Sequence, residues 1–204
     1  IESYGMTEAS HQMTSNHLPP GNRKGTKAGF AAGPEVSVMD NNHNILENGK
    51  IGEIVIRGKN VTRGYLNNPQ ANKDSFVDGW FRTGDQGFYD KEGFLQLTGR
   101  IKEIINKGGE KISPLEIDDE IMKHESVFQG ITFPIVHNKL GEEVAAAIVL
   151  KNNHQLSEQE LKEFLRNKLA PFKIPQKIIF LDEIPKGKTG KLQRIGLAKI
   201  LGLE

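Results

Sequence analysis

No cysteine occurs among the 204 residues, which excludes a disulfide framework, a thiolate nucleophile and a cysteine zinc site. No apolar run approaches the roughly 20 residues of a membrane-spanning helix, and no charged-then-apolar leader opens the chain, so it reads as a soluble protein. An excess of one charge is missing too. Lys and Arg number 27 against 26 Asp and Glu, for a net charge of +1, and with the signs mixed along the chain no sustained basic face implies a nucleic-acid partner. The expected partners are small molecules. The histidines (His11, His17, His43, His124, His137 and His154) lack the paired spacing of a metal site, and neither a Ser-His-Asp arrangement, an internal repeat nor a low-complexity tract is present. The first residue is Ile1 rather than methionine, and a motif begins at Tyr4. The expectation is a chain that forms the back portion of something longer.

What is present divides into two textures. Residues 25–100 are rich in glycine and short alternating runs, GEIVIRG (52–58) and GFLQLTG (93–99) among them, which predict short strands joined by tight turns in a small twisted sheet or barrel. Beyond Arg100 the pattern predicts a strand at 103–107, a helix at 114–123 with Ser113 as N-cap and Pro114 at N1, and strands at 127–136 and 144–151. A helix at 158–169 with a Ser157/Glu160 capping box, a strand at 177–181 and a last helix at 193–201 complete it. The expected fold class is α+β, with a boundary at 100–102 and two domains, 1–100 and 101–204. Asp118 and Asp119 fall on the outside of a predicted helix and are expected to be solvated.

The chemistry-bearing residues lie in short motifs in a fixed order. In YGMTE (4–8), the Thr7 hydroxyl and Glu8 carboxylate are hard oxygen donors of the kind magnesium accepts, and Tyr4 offers a flat face for a purine. A surface turn leading into a helix capped by Thr7 explains the same residues. In FRTGD (81–85), Asp85 follows a glycine in a turn, where its carboxylate can accept both hydroxyls of a ribose, and Arg100 in TGRIKE (98–103) has five fixed donors that can reach the same ribose; a simple turn residue and a solvated strand-end charge explain the same two residues. NKGGEKISP (106–114) carries Gly108 and Gly109 between a strand and a helix. They permit positive φ and the close passage of a narrow ligand arm, or simply a hairpin turn. PKGKTGK (185–191) is not a Walker phosphate loop, because its earlier glycine would fall at Asp182 and no strand-then-helix unit frames it. It is a basic, glycine-hinged loop able to extend Lys191 towards negative charge, or simply a solvated basic loop.

The order and spacing of these motifs, from Tyr4 to about Ala198, resemble the adenylate-forming (AMP-binding) superfamily of acyl-CoA synthetases, adenylation domains and firefly luciferase. Within it, TEASHQMTSNHLPPG (7–21), GKIGEIVIRGKNVTRGYLNNPQANK (49–73), FRTGDQGF (81–88) and GRIKEIINKGGEKISPLEID (99–118) are similar to oxalate-CoA ligases of fungi and plants. The resemblance implies that 1–100 is the end of a large AMP-binding domain and 101–204 a small mobile C-terminal domain, with the active site between them. It implies ATP, Mg²⁺ and coenzyme A as co-substrates and metal, and a small carboxylate as the acid. Residue by residue, Thr7 and Glu8 would serve magnesium and ATP, Tyr4 the adenine, Asp85 and Arg100 the ribose. Lys102 would be the hinge, Lys191 the lysine at the reacting carboxylate and α-phosphate, and Lys107, Gly108, Gly109 and Glu110 the wall of the thiol tunnel. Ser10 and His11 follow the magnesium site and would face the acid.

There are departures. The Gly/Ser/Thr-rich phosphate loop and the upstream walls of the acid pocket are not in this sequence, so the chain alone is expected to be inactive. HNKLGEE (137–143) follows Pro-Ile-Val where many relatives have a Pro-Asp pair. Ligases of fatty or 4-coumarate-type acids, or a module that binds nucleotide or CoA without catalysis, are the alternatives. The compartment expected by default is the cytoplasm. The family's peroxisomal members suggest another, but Gly202, Leu203 and Glu204 do not form a serine-lysine-leucine type signal. Oligomeric state is not encoded in any motif.

Overall fold

The alternation of GEIVIRG becomes strand in the expected place, yet both of its faces are covered. The computed structural model describes residues 1–187, 190 and 192–203 and divides into two units, Ile1–Lys102 and Glu103–Glu204. In the first, β1 (Ser3–Met6) and β2 (His11–Ser15) form an antiparallel pair joined by a 3₁₀ turn over Thr7–Ala9, and β3 (Phe30–Ala31) extends it. A second sheet contains β4 (Glu35–Met39), β5 (Gly52–Arg57), β6 (Phe76–Val77), β7 (Trp80–Tyr89) and β8 (Leu95–Arg100), in the order β4-β5-β7-β6 with β8 also on β7. A Gly29–Leu95 bridge joins the two sheets into one curled surface. Ile54 and Ile56 on β5 point into clusters with Leu95 and with Met13 and Phe81, while Val55 between them packs on Met39 and Trp80. This is the period-2 rule with apolar neighbours on both sides. Helix α1 (Pro69–Ser75) begins with Pro69 at N1 and Asn68 accepting from the Ala71 amide.

The second unit is one sheet in the order β10-β9-β12-β11, with β13 parallel to β12. Its strands are β9 (Ile105–Lys107), β10 (Glu110–Ile112), β11 (Val127–His137), β12 (Gly141–Leu150) and β13 (Lys177–Phe180). Helices α2 (Pro114–Ile121) and α3 (Glu158–Arg166) supply Ile117, Ile121, Leu161 and Leu165 to a core that also takes Val144, Ala146 and Ile148 from one face of β12. The other face, with Ala145 and Ala147, packs on Ile131, Phe133, Ile184 and Leu197, the last from α4 (Leu197–Ile200). Deleting a side chain such as that of Leu161 from this core costs about 2–5 kcal/mol. Ser157 and Glu160 form the predicted capping box, both halves present.

Several expectations need correction. Residues 101–103 form a 3₁₀ turn, so the strand begins only at Ile105. Ser113 has the extended backbone of a cap but makes no capping hydrogen bond. The last helix is four residues long rather than nine, because Gly196 at φ 79 marks its start and Arg194 is engaged elsewhere. YGMTE is a strand and a 3₁₀ turn, not the capped start of an α-helix. Asp85 lies within β7, opposite Arg100 on β8, and Gly84 before it has φ 74. The strand is bulged there rather than ended by a turn. Among the described residues no helix is long and apolar enough to cross a membrane.

Candidate functional site

The hairpin β1–β2 is unusually tight. Gly5 pairs with Gln12, and a Cβ on Gly5 would collide with the carbonyl oxygen of His11; only glycine lets the strands approach so closely. This contact holds the 3₁₀ turn of Thr7 and Glu8 against the following residues, Ser10 at φ 50 and His11 at φ 90. A second segment straps the same turn from outside. The Thr62 amide donates to the Glu8 carbonyl at 2.7 Å, Asn60 Nδ2 donates to the Ala9 carbonyl at 2.8 Å, and Ser10 Oγ donates to the Asn60 carbonyl at 3.0 Å.

Within this frame, Tyr4 donates its phenolic proton to Asp85 Oδ2 at 2.6 Å, and Arg100 Nε stands 3.3 Å from Asp85 Oδ1. The structure therefore brings together Tyr4, Asp85 and Arg100. Burial, together with the negative Asp85, pushes the Tyr4 phenol well above its ordinary value, so Tyr4 stays a donor across the physiological range. Asp85 is nearly buried, whereas Arg100 is 68% exposed at its side chain, leaving the guanidinium facing solvent where a ligand can meet it. Glu8 accepts from the Tyr65 hydroxyl at 2.9 Å through Oε1, and its Oε2 takes no hydrogen bond among the described residues. Burial and the adjacent Glu8 raise the Tyr65 phenol as well. With the exposed Thr7 hydroxyl one residue away, this gives two hard oxygen donors in a single turn. That set fits a magnesium ion, which takes few protein ligands and completes its shell with phosphate and water. The His11 ring is exposed and takes no hydrogen bond among the described residues, so it is not fastened to neighbouring backbone.

In the second unit Gly108 and Gly109 form the two-residue turn between β9 and β10, at φ 60 and 98. Positive φ at both positions is the hairpin geometry that matches strand twist. A Cβ at Gly109 would meet nothing within 4 Å, while one at Gly108 would press on Leu140. The open side of the turn is thus at Gly109. Lys107 does not stand free: its Nζ pairs with Glu143 Oε1 at 2.6 Å and donates to the Phe172 carbonyl at 3.2 Å, on the edge of a cleft of about 530 Å³ that Lys162, Arg166 and Ile174 also line. Glu110 beside the turn is exposed. Lys102 is the last residue of the first unit and sits in the 3₁₀ turn 101–103. Lys191 and the neighbouring Lys188 and Thr189 lie outside the described residues.

Sequence reasoning passed over two residues that hold these groups in place and misplaced a third elsewhere in the second unit. Tyr65 lies 57 positions from Glu8, Glu143 belongs to the run HNKLGEE, and Asp118 is not solvated. Its side chain is 13% exposed, pairs with Arg194 at 2.7 Å and accepts the Thr132 amide at 2.6 Å. Asp119 is exposed as expected. A charged residue flanked on both sides by helix-face apolar positions, as Asp118 is by Ile117 and Ile121, was the available sign of an inward edge.

The family model for AMP-binding enzymes matches residues 1–66, and that for the AMP-binding enzyme C-terminal domain matches residues 116–191. The chain is 53% identical to oxalate–CoA ligase of Saccharomyces cerevisiae, with 98% of the chain and 37% of that protein aligned, and 45% identical to oxalate–CoA ligase of Arabidopsis thaliana, with 95% and 38% aligned. It thus spans less than two-fifths of the length of these relatives. Its fold superimposes on the crystal structure of ATP-bound MatB from Rhodopseudomonas palustris with a TM-score of 0.89 at 34% identity, covering 97% of this chain and 39% of that one. This chain belongs to the AMP-binding enzyme family.

Proposed function

We propose that this chain is the C-terminal part of an ATP-dependent acid–thiol ligase that converts oxalate to its CoA thioester. In this reading residues 1–100 close the large domain and 101–204 form the mobile C-terminal domain. The observation that carries it is the meeting of two motifs 81 positions apart, Tyr4 of YGMTE bonded to Asp85 of RTGD, beside Arg100.

A carboxylate is a poor electrophile because both oxygens share its charge. One carboxylate oxygen attacks the α-phosphorus of ATP, the bond to pyrophosphate breaks, and the acid becomes an acyl-adenylate with AMP as leaving group. The thiol of CoA, losing its proton, then attacks the acyl carbon and AMP departs. Tyr4 stacks on the adenine with one face while its hydroxyl orients Asp85, and Asp85 and Arg100 hold the ribose. Thr7 and Glu8 would hold magnesium, which when bound neutralises phosphate charge. Lys191 offsets the charge that develops between carboxylate and α-phosphate. Lys107, Gly108, Gly109 and Glu110 border the thiol's path, and Lys102 is the hinge between the two half-reactions. Ser10 and His11 lie next to Glu8 and face the acid; the exposed, unfastened imidazole can donate to a second carboxylate. Identity to the two oxalate–CoA ligases supports that choice of acid.

The test uses the complete ligase that contains this chain. Acid-dependent exchange of labelled pyrophosphate into ATP is expected with oxalate, followed by oxalyl-CoA on adding CoA. Exchange with a medium-chain fatty acid or 4-coumarate but not oxalate would replace the acid. Nucleotide binding without exchange for any acid would reduce the chain to a binding module. The 204-residue chain alone is expected to form no thioester.

A further inference from the structure

The run HNKLGEE, which the functional reading leaves unused, turns the chain from β11 into β12 and grips the neighbouring β9–β10 hairpin at consecutive positions. The Leu140 carbonyl accepts the Gly108 amide at 2.8 Å, Gly141 pairs with Lys107 as the bridge between β12 and β9, the Glu142 carboxylate accepts the Asn106 amide at 2.6 Å, and Glu143 holds the Lys107 ammonium at 2.6 Å. The Leu140 side chain also lies against Gly108, where an added Cβ would come within 3.1 Å of it. One side of the glycine turn is thus backed by Leu140 while the Gly109 side stays open. One ring shapes this grip at its start: His137 Nδ1 accepts the amides of Lys139 at 3.2 Å and of Leu140 at 3.1 Å. Leu140 is therefore held at its N–H by His137 and in turn holds Gly108 at its C=O, so a single residue links the imidazole to the glycine turn.

We propose that His137 is a positioning residue for thiol transfer: by fastening Leu140 it sets the place of the Gly108–Gly109 turn. The proposal rests on the reading of that turn as a wall of the thiol's path. A turn can close through backbone bonds alone, and amides that face water need no side chain. An acceptor aimed at two successive amides selects one turn conformation, as Asn and Asp side chains do in Asx turns, and the peptide selected here is the one that bonds Gly108. Two adjacent glycines have many other conformations within reach, so their turn depends on such an outside hold. A displacement of about 1 Å in a positioning group costs up to about a hundredfold in rate. In this role His137 meets no reactant and acts through Leu140, and adenylation, which does not use the glycine turn, is left unchanged.

Two substitutions in the complete ligase test this. His137→Phe keeps a ring and removes the acceptor, whereas His137→Asp supplies an acceptor for the same two amides. Thioester formation from supplied acyl-adenylate is expected to fall about tenfold in His137→Phe, most of it as a raised KM for CoA, and to return to within about twofold in His137→Asp. Acid-dependent ATP–pyrophosphate exchange should stay within about twofold in both. In hydrogen–deuterium exchange, amides of 106–109 should exchange about fivefold faster in His137→Phe, with those of α3 and β13 unchanged. Equal loss in both half-reactions, failure of His137→Asp to restore thioester formation, or unchanged exchange at 106–109 would overturn the proposal. If His137→Phe does not fold, Glu142→Met, which removes the bond to the Asn106 amide, must show the same split between half-reactions, or the proposal falls. Thioester formation left intact by Gly109→Trp would overturn the reading of the turn as a wall of the thiol's path, and the proposal with it. If Gly109→Trp blocks thioester formation and His137→Phe does not lower it, the proposal alone is overturned.

Discussion

Tyr4 and Asp85 share one short hydrogen bond, 2.6 Å between phenol and carboxylate, which ties the proposed adenine platform to the proposed ribose acceptor. Tyr4→Phe keeps the ring and removes the donor. We expect the first unit to lose about 1.5–3 kcal/mol, the range for a hydrogen bond to a charged group. The KM for ATP should rise severalfold with kcat little changed, whereas Tyr4→Ala should lose the platform as well and raise KM further. Equal KM values for the Phe and wild-type enzymes would mean that Asp85 is held by other contacts.

Lys191→Ala should slow adenylation by about a hundred- to a thousandfold, the usual cost of removing one preorganised donor, and leave thioester formation from supplied acyl-adenylate unaffected. Pyrophosphate release and thioester yield, measured separately, check this. Equal losses would remove Lys191 from its role.

Lys102→Pro and Gly109→Trp should show the reverse pattern. The proline restricts the backbone at the start of the 3₁₀ turn 101–103, and the indole fills the open side of the β9–β10 turn. Because Gly109 has φ 98, any side chain there also strains the backbone, by about 1–2 kcal/mol. Gly109→Ala, which shares the strain without the bulk, is the control and should retain most thioester formation. A loss of adenylation first in either variant would contradict hinge and tunnel alike.

His11→Ala should lower kcat/KM for oxalate about tenfold or more relative to a medium-chain fatty acid. A donor facing the second carboxylate is satisfied by oxalate but left unpaired by an alkyl tail, a difference of about 1–3 kcal/mol. An unchanged ratio would show that His11 is scaffolding.

Asp90 contributes to the acid stability of the first unit. It accepts Lys27 Nζ at 2.5 Å and the amides of Glu92 and Phe94 at 2.9 Å each, closing the β7–β8 turn. The hydrogen bond from Lys27 is the main reason that its carboxyl lies below the usual aspartate value. A lowered folded value means the unfolded chain binds its proton first. The contribution is complete above about pH 4, the unfolded aspartate value, and is lost as the pH falls through the folded one. Urea midpoints between pH 2 and 6 should drop on acidification in the wild type, and this component should be missing in Asp90→Asn.

What could be read from the residues was what the residues decide among neighbours. The Ser157/Glu160 capping box, Pro114 at a helix start and the alternation of β5 depend on contacts a few positions apart, and local chemistry settles them. The short last helix was not legible, because the residues expected to begin it are governed by Gly196 and by the distant partners of Arg194, with Glu103 91 positions away. The same limit applies to the candidate site. Its candidate groups sit in contiguous motifs, but the residues that hold them (Tyr65 on Glu8, Glu143 on Lys107) come from other strands and loops, which only the fold brings near. Asp118 illustrates the reverse error, a charge assigned to water that the fold turns inward to a cation.

The packing at Gly5 bears on how this sequence can drift. Alanine, the mildest change available, would place a methyl group on the His11 carbonyl oxygen, so β1 and β2 would have to part and carry the turn of Thr7 and Glu8 with them. Under the role proposed for Thr7 and Glu8, selection on those two residues thus reaches a residue with no chemistry of its own. Random substitution followed by selection for activity should return glycine at position 5 as stringently as it returns glutamate at position 8, through shape rather than charge.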